Sequence, residues 1–439
     1  MALGEARMKV CIVGLWHLGT VTAACLASCG HDVVGLDFDS TVIEKLQVGQ
    51  PPLYEPGLED LIKQNLRNGS LCFSTDIITA LDGAEAVWVT YDTPIDEEDR
   101  ADVDFVIERV VRLFPHCAEG TLILLSSQLP VGTTRNLEQM YAKAYPGKPV
   151  TFGYSPENLR LGKAIDAFTR PDRIVVGLRD ESGRQRVKEL LQPFTAHIEW
   201  MSVESAEMTK HALNAFLATS ITFTNEVAVL CEQVGADAKE VERGLKSDAR
   251  IGPRAYLSPG SAFSGGTLAR DIQFLSAIGN AHHQPTYLLS AVRESNSMHR
   301  HWVQRRLQWL LRDFRGVQVA VLGLTYKTGT DTLRRSISIE LCKWLVEQGA
   351  LVRAHDSVVK VLPDELAQKM TLCSSPLAAL EGVSALVIGT EWPEYQSLAA
   401  EKVLSAMREP LIIDPNRFLI KNLGSDPRFR YVTVGKATL

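Results

Sequence analysis

Residues 9–37 read KVCIVGLWHLGTVTAACLASCGHDVVGLD, and this stretch predicts a strand, a glycine turn, a helix and a second strand. The run KVCIVGL is apolar and short enough for a buried strand, whereas TVTAACLASCG is a run of small residues that predicts a helix ending at Gly30. The run DVVGLD is the second strand and ends at Asp37. Elements in this order form the βαβ unit of doubly wound α/β folds.

The same order of elements returns near the C-terminus. VQVAVLGL is followed by a turn, by the helical run SIELCKWLVEQG, and by the strand LVRAHD. The glycine that ends the helix and the aspartate that ends the strand are seven residues apart in both copies, Gly30 to Asp37 and Gly349 to Asp356. This internal repeat predicts an α/β fold with two Rossmann-like, doubly wound domains rather than one large sheet.

The segment between the repeats, SAEMTKHALNAFLATSITFTNEVAVLCEQVG, contains no proline or glycine before its last residue, Gly235. Its apolar residues recur at helical spacing, so the segment predicts a long central helix that joins the two domains. We therefore expect domains over residues 1–200, 201–300 and 301–439. The length and apolar face of the helix favour a dimer interface over a simple connector.

Composition argues against several classes of protein. The chain has 439 residues, of which 45% are hydrophobic and 22% charged, as in soluble proteins of two or three domains. A net charge of −6 argues against binding to duplex nucleic acid, and no apolar run reaches the roughly 18 residues of a membrane span. The start MALGEARMKV lacks the order of a secretory signal, and eight cysteines show no metal-type spacing. We expect a cytoplasmic protein with reduced thiols and no structural zinc.

The first turn, GLWHLG, runs from Gly14 to Gly19 and departs from the G-x-G-x-x-G pattern because Trp16 stands at the middle glycine. The amides at the start of the following helix can hold a pyrophosphate. Asp37 can accept hydrogen bonds from both ribose hydroxyls and repels a 2′-phosphate, so the turn predicts NAD rather than NADP. A Rossmann-like turn that binds nothing is the alternative.

Ten blocks in order resemble the UDP-glucose/GDP-mannose dehydrogenases, a family of nucleotide-sugar 6-dehydrogenases. The resemblance covers residues 9–417, and its blocks are EPGLEDLI, DTPIDEEDRADV, LPVGTT, SPENLRLGKA, RPDRIVVG, AEMTKHALNAFLATSITFTNEVA, DARIG, PGSAFSGGTLARD, GLTYKTGTDTLRRS and GTEWPEY. Such enzymes oxidise the C6 alcohol of a nucleotide sugar twice with two NAD molecules. The resemblance implies a homodimeric enzyme acting on a UDP-sugar, UDP-glucose by default, although UDP-N-acetylhexosamines and GDP-mannose are substrates of similar sequences. It also implies that the three domains bind NAD, form the dimer with the catalytic loop, and bind the UDP-sugar.

The resemblance also assigns catalytic residues. Lys210 and Asn214, one helical turn apart, match the proton-handling lysine and its partner. Asp271 matches the aspartate of the catalytic loop, and Glu157 matches an acid/base group near C6. The alternatives are a solvated lysine at position 210 and a helix N-cap at Asp271.

Binding residues are implied in the same way. The expected cofactor contacts are Gly14, Trp16, Leu18, Gly19, Asp37, Thr93, Pro94 and Gln128. The expected substrate contacts are Glu157, Leu159, Lys210, Asn214, Arg250, Gly266, Lys327 and Arg334. Lys327 resembles a lysine that meets the sugar diphosphate, Arg250 an arginine supplied by the neighbouring subunit, and Arg334 the arginine of the C-terminal nucleotide block.

One position of the catalytic loop departs from the family. The segment SAFSGGTLARD resembles FGGSCFPKD, and counting back from Asp271 places Thr267 where the family has its nucleophilic cysteine. Further departures near the same chemistry are Gln128, Asn158, Leu161, Arg270 and Arg335. A threonine hydroxyl needs a strong adjacent base to act as a nucleophile, so Thr267 is expected to fill space or donate a hydrogen bond.

The sequence therefore predicts an NAD-dependent oxidation that stops at the aldehyde or favours it. Direct oxidation of the hydrated aldehyde is the route by which such a site would still reach the acid. Two other functions stay open: an enzyme that epimerises or eliminates and regenerates its NAD, and a non-catalytic homologue that binds a nucleotide sugar.

Overall fold

A computed structural model describes residues 7–94, 96, 101–157, 159–179, 181–264 and 266–437 of the chain. Two residues singled out in the sequence, Asn158 and Gly265, lie outside the described residues. The chain divides into two compact units, Met1–Ala212 and Leu213–Leu439.

The first unit is built around one sheet. Its strands are β1 (Lys9–Val13), β2 (Asp32–Leu36), β3 (Leu71–Ser74), β4 (Ala86–Val89), β5 (Leu122–Leu125), β6 (Thr151–Tyr154), β7 (Ile174–Leu178) and β8 (Ile198–Met201). They lie in the order β3-β2-β1-β4-β5-β6-β7-β8, and the neighbouring pairs are parallel except for β6 with β7. The order reverses between β1 and β4, and ligands of such sheets bind at the carboxyl ends of the strands at this point.

Helices cover both faces of this sheet. They are α1 (His17–Ser28), α2 (Ser40–Gln47), α3 (Leu58–Arg67), α4 (Ile77–Leu81), α5 (Val103–Val111), α6 (Thr133–Ala144), α7 (Ala164–Thr169) and α8 (Arg184–Leu191). Successive side chains of a strand point to opposite faces, so β1 contributes Val10 and Ile12 to one hydrophobic core and Cys11 and Val13 to the other.

A single helix, α9 (Val203–Val234), follows β8 and ends before Gly235, which has a φ of +76°. The predicted central helix is thus confirmed, and the boundary of the two units falls within it, after Ala212. Among the described residues, α9 is the one helix long and apolar enough to cross a membrane by length and composition. Its buried polar residues, among them Glu207 and His211, hydrogen-bond to loops of the first unit, as in the core helix of a globular protein.

The second unit repeats the topology of the first on a smaller scale. Its strands are β9 (Gln318–Leu322), β10 (Leu351–His355), β11 (Met370–Leu372), β12 (Ala385–Ile388), β13 (Leu411–Ile413) and β14 (Arg430–Val432). They lie in the order β11-β10-β9-β12-β13-β14, all parallel, which is the order of β3-β2-β1-β4-β5-β6. The fold predicted from the internal repeat is therefore confirmed.

The second unit also carries helices before its sheet and around it. They are α10 (Ala238–Ser247), α11 (Thr267–Ala281), α12 (Tyr287–Arg300), α13 (Trp302–Leu311), α14 (Ile337–Glu347), α15 (Asp364–Ala367), α16 (Pro376–Leu380) and α17 (Ala400–Ala406). The predicted catalytic loop, residues 261–271, ends inside α11, because residues 267–271 form the first five positions of that helix.

Candidate active site

The glycine turn between β1 and α1 is closely packed. Gly14 has a φ of +92°, and a Cβ atom there would lie 2.6 Å from the Tyr91 ring. A Cβ atom on Gly19 would lie 1.9 Å from the carbonyl oxygen of Gly14. Both positions therefore require glycine, as expected for a turn that brings backbone close to a ligand.

Trp16 does not close the turn. Its side chain is 46% exposed, and it precedes the first residue of α1 without capping the helix. The amide groups of the first helical turn consequently have no side-chain acceptor from Trp16 and can receive an anion. Leu18, one residue into the helix, is buried.

Asp37 keeps capacity to accept further hydrogen bonds. Its Oδ2 atom accepts from the Leu15 amide at 2.7 Å and its Oδ1 atom from the Asp39 amide at 3.1 Å, and the residue is half-buried. Each carboxylate oxygen has two acceptor sites, so ribose hydroxyls can still be bound. Together with the turn, Asp37 gives the first unit a set of residues that fits a dinucleotide.

The equivalent carboxylate of the second repeat has lost this capacity. Asp356 is 2% exposed. Its Oδ2 atom accepts from the amides of Leu324 and Thr325 and from the indole of Trp392, at 2.6, 3.2 and 3.0 Å. Its Oδ1 atom accepts from two further amides, those of Val358 and Val359. The aspartate after the second strand is therefore structural in the second repeat.

The predicted cofactor residues of the later loops lie after β4 and β5. The Thr93 hydroxyl donates to the carbonyl of Gln128 at 2.8 Å, and both residues are buried. Pro94 is exposed, and its carbonyl accepts from the Asp102 amide. Thr93 and Gln128 are thus brought together at the edge of the sheet that the strand order marks for a ligand.

The buried Lys210 and the half-buried Glu157 form an ion pair in the first unit. Lys210 is 5% exposed, and its Nζ atom donates to the Glu157 carboxylate at 3.1 Å and to the Glu157 carbonyl. The second carboxylate oxygen of Glu157 accepts from the Leu159 amide at 2.7 Å. A solvated lysine, the alternative considered for position 210, is wrong.

Asn214 and Asp271 form the corresponding pair in the second unit. The side-chain amide of Asn214 donates to the Asp271 carboxylate, which is fully buried. Asp271 is the fifth residue of α11, so the alternative of a helix N-cap is also wrong. Helix α9 carries both Lys210 and Asn214, four residues apart.

Thr267 is the first residue of α11 and is exposed. Gly266 precedes it at the N-cap position without a side-chain cap.

The loop before α11 is held by side chains that the sequence did not single out. The amides of Gly260, Ser261 and Phe263 donate to the side-chain oxygens of Asn225, Asn416 and Asn296 at 3.0, 2.7 and 3.0 Å. The His299 ring lies 2.8 Å from the Gly260 carbonyl. A Cβ atom on Gly260 would lie 2.1 Å from the Asn416 oxygen, so this close approach requires glycine.

A cavity of about 220 Å³ opens in the second unit next to this loop. Ser264, Lys327, Glu391 and Asn416 are on its wall. Burial raises the pKa of Glu391, and the hydrogen bond from Asn416 lowers it by less. A carboxyl group with a raised pKa repels an anionic ligand less than an ordinary glutamate does.

Two predicted substrate residues lie elsewhere. The side chain of Arg250 is 89% exposed and pairs with Asp248 at 2.7 Å, and Arg334 is also exposed. Neither is among the described residues that line the cavity. Their roles at the substrate stay predictions.

The sequence did not single out several polar residues that hold loops or line the cavity. Glu55 and Glu391 lie inside the blocks EPGLEDLI and GTEWPEY, and Asn225 lies on the central helix. A polar residue on the buried face of a helix is a usable signal, but its partner cannot be read from the sequence.

Comparison with known proteins agrees with this architecture. The chain matches three domains of the UDP-glucose/GDP-mannose dehydrogenase family. They are the NAD binding domain over residues 8–195, the central domain over residues 204–298 and the UDP binding domain over residues 320–421. The chain is 34% identical to the UDP-glucose 6-dehydrogenase of Rhizobium meliloti over 98% of its length and 100% of the relative's. It is 33% identical to the UDP-glucose 6-dehydrogenase TuaD of Bacillus subtilis, covering 92% of this chain and 88% of the relative.

A solved structure has the same fold. The UDP-glucose dehydrogenase of the hyperthermophilic archaeon Pyrobaculum islandicum superposes with a TM-score of 0.88 at 28% identity, covering 100% of both chains.

Fold and sites define a dehydrogenase in which a dinucleotide-binding unit is followed by a second nucleotide-binding unit of the same topology. The chain belongs to the UDP-glucose/GDP-mannose dehydrogenase family. NAD is its cofactor, as the sequence of the first repeat predicts.

His299, whose ring contacts the loop before α11, is expected to make the stability of the fold depend on pH. Burial lowers the pKa of His299 below its ordinary value of 6.5, and Arg305 lowers it further. As the pH falls below 6.5, the His299 imidazole takes up a proton in the unfolded chain before it does so in the folded chain. His299 therefore stabilises the fold fully above pH 6.5, and this stabilisation falls by at most about 1.4 kcal/mol per pH unit as the pH decreases.

Thermal unfolding between pH 7.5 and pH 5.5 checks this expectation. His299→Gln should unfold at a lower temperature than the parent at pH 7.5 and lose less stability on acidification. His282→Gln, at an exposed position, is the matched control and should keep the slope of the parent. Equal slopes for the parent and His299→Gln would contradict the assignment.

Proposed function

We propose that the protein is an NAD-dependent nucleotide-sugar 6-dehydrogenase that oxidises the C6 alcohol of a UDP-sugar, with UDP-glucose as the first candidate. The observation that carries the proposal is the buried Lys210 of α9 with its partner Glu157, on the helix that also carries Asn214 with its partner, the buried Asp271. A buried lysine with carboxylate and amide partners is the kind of side-chain set that acid/base catalysis uses and a binding module does not need. The names of the similar enzymes support the substrate class.

In the proposed reaction, NAD held by the glycine turn and Asp37 would supply the acceptor for the hydride that leaves C6. Lys210 donates a hydrogen bond to the C6 oxygen and stabilises the negative charge that develops there. Glu157 accepts the proton of the C6 hydroxyl, so one C–H bond and one O–H bond break for each aldehyde formed. Asp271 and Asn214 are assigned the ordering of a water molecule, as the family resemblance implies for the loop aspartate. The backbone N–H of Leu159 donates a hydrogen bond to Glu157 and keeps that carboxylate in place.

The nucleotide end of the substrate is assigned to the second unit. Lys327 on the cavity wall is proposed to meet the diphosphate, and Gly266 to allow close approach of the sugar. Arg250 is proposed to act in the site of the neighbouring subunit, which agrees with its exposure, and Arg334 to bind the nucleotide. The division into parts over residues 1–200, 201–300 and 301–439 is proposed to correspond to NAD binding, dimerisation with the catalytic loop, and UDP-sugar binding.

We further propose that the reaction favours the aldehyde, because Thr267 occupies the place of the family's nucleophilic cysteine. A thiol is partly ionised near neutral pH and attacks an aldehyde readily, whereas a threonine hydroxyl needs a strong base. Thr267 is instead assigned a hydrogen bond to the C6 oxygen or a space-filling role. Two rival functions would give no net NADH. One is an epimerising or eliminating enzyme that regenerates its NAD. The other is a non-catalytic homologue that binds a nucleotide sugar, and the residues Trp16 and Thr267 favour this second rival.

The ratio of NADH to sugar consumed tests the truncated reaction. With NAD and UDP-glucose, the parent should form about one NADH per sugar and an aldehyde or its hydrate, identified by mass. Thr267→Cys should approach two NADH per sugar and release the uronic acid, because a thiolate can then capture the aldehyde. Thr267→Ser keeps a hydroxyl and is the matched control, which should behave as the parent.

Two outcomes would overturn parts of this proposal. Two NADH per sugar from the parent would show that both oxidations proceed at a site with Thr267. No NADH from the parent with UDP-glucose, a UDP-N-acetylhexosamine and GDP-mannose, despite measurable NAD binding, would favour the rival functions.

Replacement of the buried lysine tests the proton-handling role. Lys210→Ala should lower kcat at least about 100-fold, because it removes the group that stabilises charge on the C6 oxygen. The matched control is Lys63→Ala, which breaks an exposed lysine–glutamate pair of the same unit and should leave kcat within about twofold. Activity of Lys210→Ala within a few-fold of the parent would refute the role.

A homodimer is proposed from a surface of the second unit. Helix α9 exposes an apolar stripe formed by Phe216, Phe223, Leu230 and Val234, whose side chains are 67%, 50%, 64% and 78% exposed. The first three recur every seven residues and therefore lie along one side of the helix. Exposed apolar stripes of this kind mark protein–protein interfaces. A cytoplasmic location and reduced cysteines are proposed from the sequence alone.

Light scattering after size-exclusion chromatography checks the dimer. The parent should have twice the mass of the chain, and Phe223→Glu should shift it toward the monomer because the substitution places a charge in the apolar stripe. Val361→Glu changes an apolar residue that is 78% exposed elsewhere and should remain dimeric. A monomeric parent at micromolar concentration would refute the interface.

A further inference from the structure

One buried carboxylate joins the cofactor turn to the segment that follows Glu157. Glu55 is 3% exposed and precedes α3 in the sequence. Its Oε2 atom lies 2.9 Å from Nε2 of His17, the first residue of α1. The same carboxylate accepts from the amide of Gly162 through Oε2 and from the amide of Ala164 through Oε1, both at 2.8 Å.

The three contacts of Glu55 come from two separate segments, the start of α1 and residues 162–164 at the start of α7. Because both of its oxygens accept backbone N–H groups, Nε2 of His17 acts as the hydrogen-bond donor. Burial of a carboxylate is unfavourable unless its lone pairs are satisfied, so the loss of one donor is expected to weaken the hold on the others. The position of residues 162–164 is therefore tied to the first turn of the cofactor helix.

The same segment leads to the proton-handling pair. Glu157 is held from one side by the Leu159 amide and from the other by Lys210. Only a short stretch of chain separates Leu159 from Gly162, which Glu55 holds. A shift of Gly162 is consequently transmitted to the Leu159 amide, which bonds the Glu157 carboxylate.

Packing supports this connection. Helix α7, whose first residue is Ala164, packs against α1 in the same hydrophobic core, with Leu159 and Ile165 beside it. The His17–Glu55 contact lies at the first residue of α1, and the His17 and Glu55 side chains are 14% and 1% exposed.

We propose that His17 is a positioning residue for the oxidation: through Glu55 it fixes residues 159–164 to the pyrophosphate-binding turn, so that cofactor binding orders the segment that holds Glu157. The assignment rests on the proposed function in so far as Glu157 takes the C6 proton. His17 is not in contact with C6, and its effect on turnover is exerted through the position of Glu157.

Hydrogen exchange tests the coupling without any turnover. In the parent, NAD should slow exchange in a peptide covering residues 159–167, and ADP-ribose, which has the pyrophosphate but no nicotinamide, should slow it to a similar extent. In His17→Gln, NAD should still bind at saturating concentration, whereas the slowing over residues 159–167 should be largely lost. Absence of any effect of NAD on this peptide in the parent would overturn the proposal.

The controls use a second histidine–glutamate pair of the same unit. His197 lies 2.9 Å from Glu199, but these side chains are 61% and 50% exposed. His197→Gln should exchange as the parent does. Glu55→Gln should lose the coupling as His17→Gln does, and the double variant should lose no more than either single variant, because both changes break one connection. Protection by NAD but not by ADP-ribose would show that the nicotinamide acts on the segment directly, and would refute the role of His17.

Kinetics separates positioning from general stability. His17→Gln is expected to lower kcat about 10-fold at saturating NAD and leave the KM for the nucleotide sugar within about twofold, because a small displacement of Glu157 affects the chemical step. A parent that makes no NADH would refute the proposed function, and the exchange experiment would still decide the role of His17. An unchanged kcat together with unchanged NAD-dependent exchange in His17→Gln would refute the inference.

Discussion

The hydrogen bonds along one face of helix α9 are the constraint on which the proposed chemistry depends. Within the first unit, Glu207 bonds the amides at the start of α6, Lys210 bonds Glu157, and His211 bonds the carbonyl of Leu129. Five residues of the helix, 207–211, thus fix the loops after β5 and β6. Beyond the unit boundary, Asn214 bonds Asp271 and Asn225 bonds the Gly260 amide. Each unit therefore receives loop anchors from its own part of α9.

One hydrogen bond is present in both Rossmann-like repeats, whereas the other contacts of its aspartate differ. In each, the aspartate after the second strand accepts from the amide of the residue after the first glycine, Leu15 for Asp37 and Leu324 for Asp356. This bond ties the end of the second strand to the glycine turn in both copies. Further donors, including the indole of Trp392, then bury Asp356. A shared topology therefore carries an open dinucleotide site in one copy and a structural carboxylate in the other.

The sequence predicts the parts of this molecule that depend on local pattern. The strand–turn–helix–strand repeat, the long helix to Gly235 and the NAD turn follow from spacing within about thirty residues, and all are confirmed. The loop anchors do not follow from local pattern. Asn416 bonds an amide 155 residues away, and Glu55 bonds amides 107 and 109 residues away. A polar residue gives no sign of a partner at such a distance, because the pairing is decided by tertiary packing.

Oxidation of an alcohol to an acid removes four electrons in two steps, and each step has its own chemical requirement. The positions at which this sequence departs from the family bear on the two requirements differently. Removal of hydride from an alcohol requires a group to take the proton and a donor to stabilise the alkoxide, and the Lys210–Glu157 pair has the chemistry for both. Conversion of the aldehyde to the acid requires in addition a nucleophile that adds to C6, because the second hydride leaves only from a tetrahedral carbon. Thr267 is exposed at the first position of α11, where the helix dipole favours negative charge by only about 1 kcal/mol. The gap in acidity between a threonine hydroxyl and a thiol is several times larger, so helix position alone does not make Thr267 a nucleophile. On the mechanism we propose, the second step depends on water as the nucleophile rather than on Thr267.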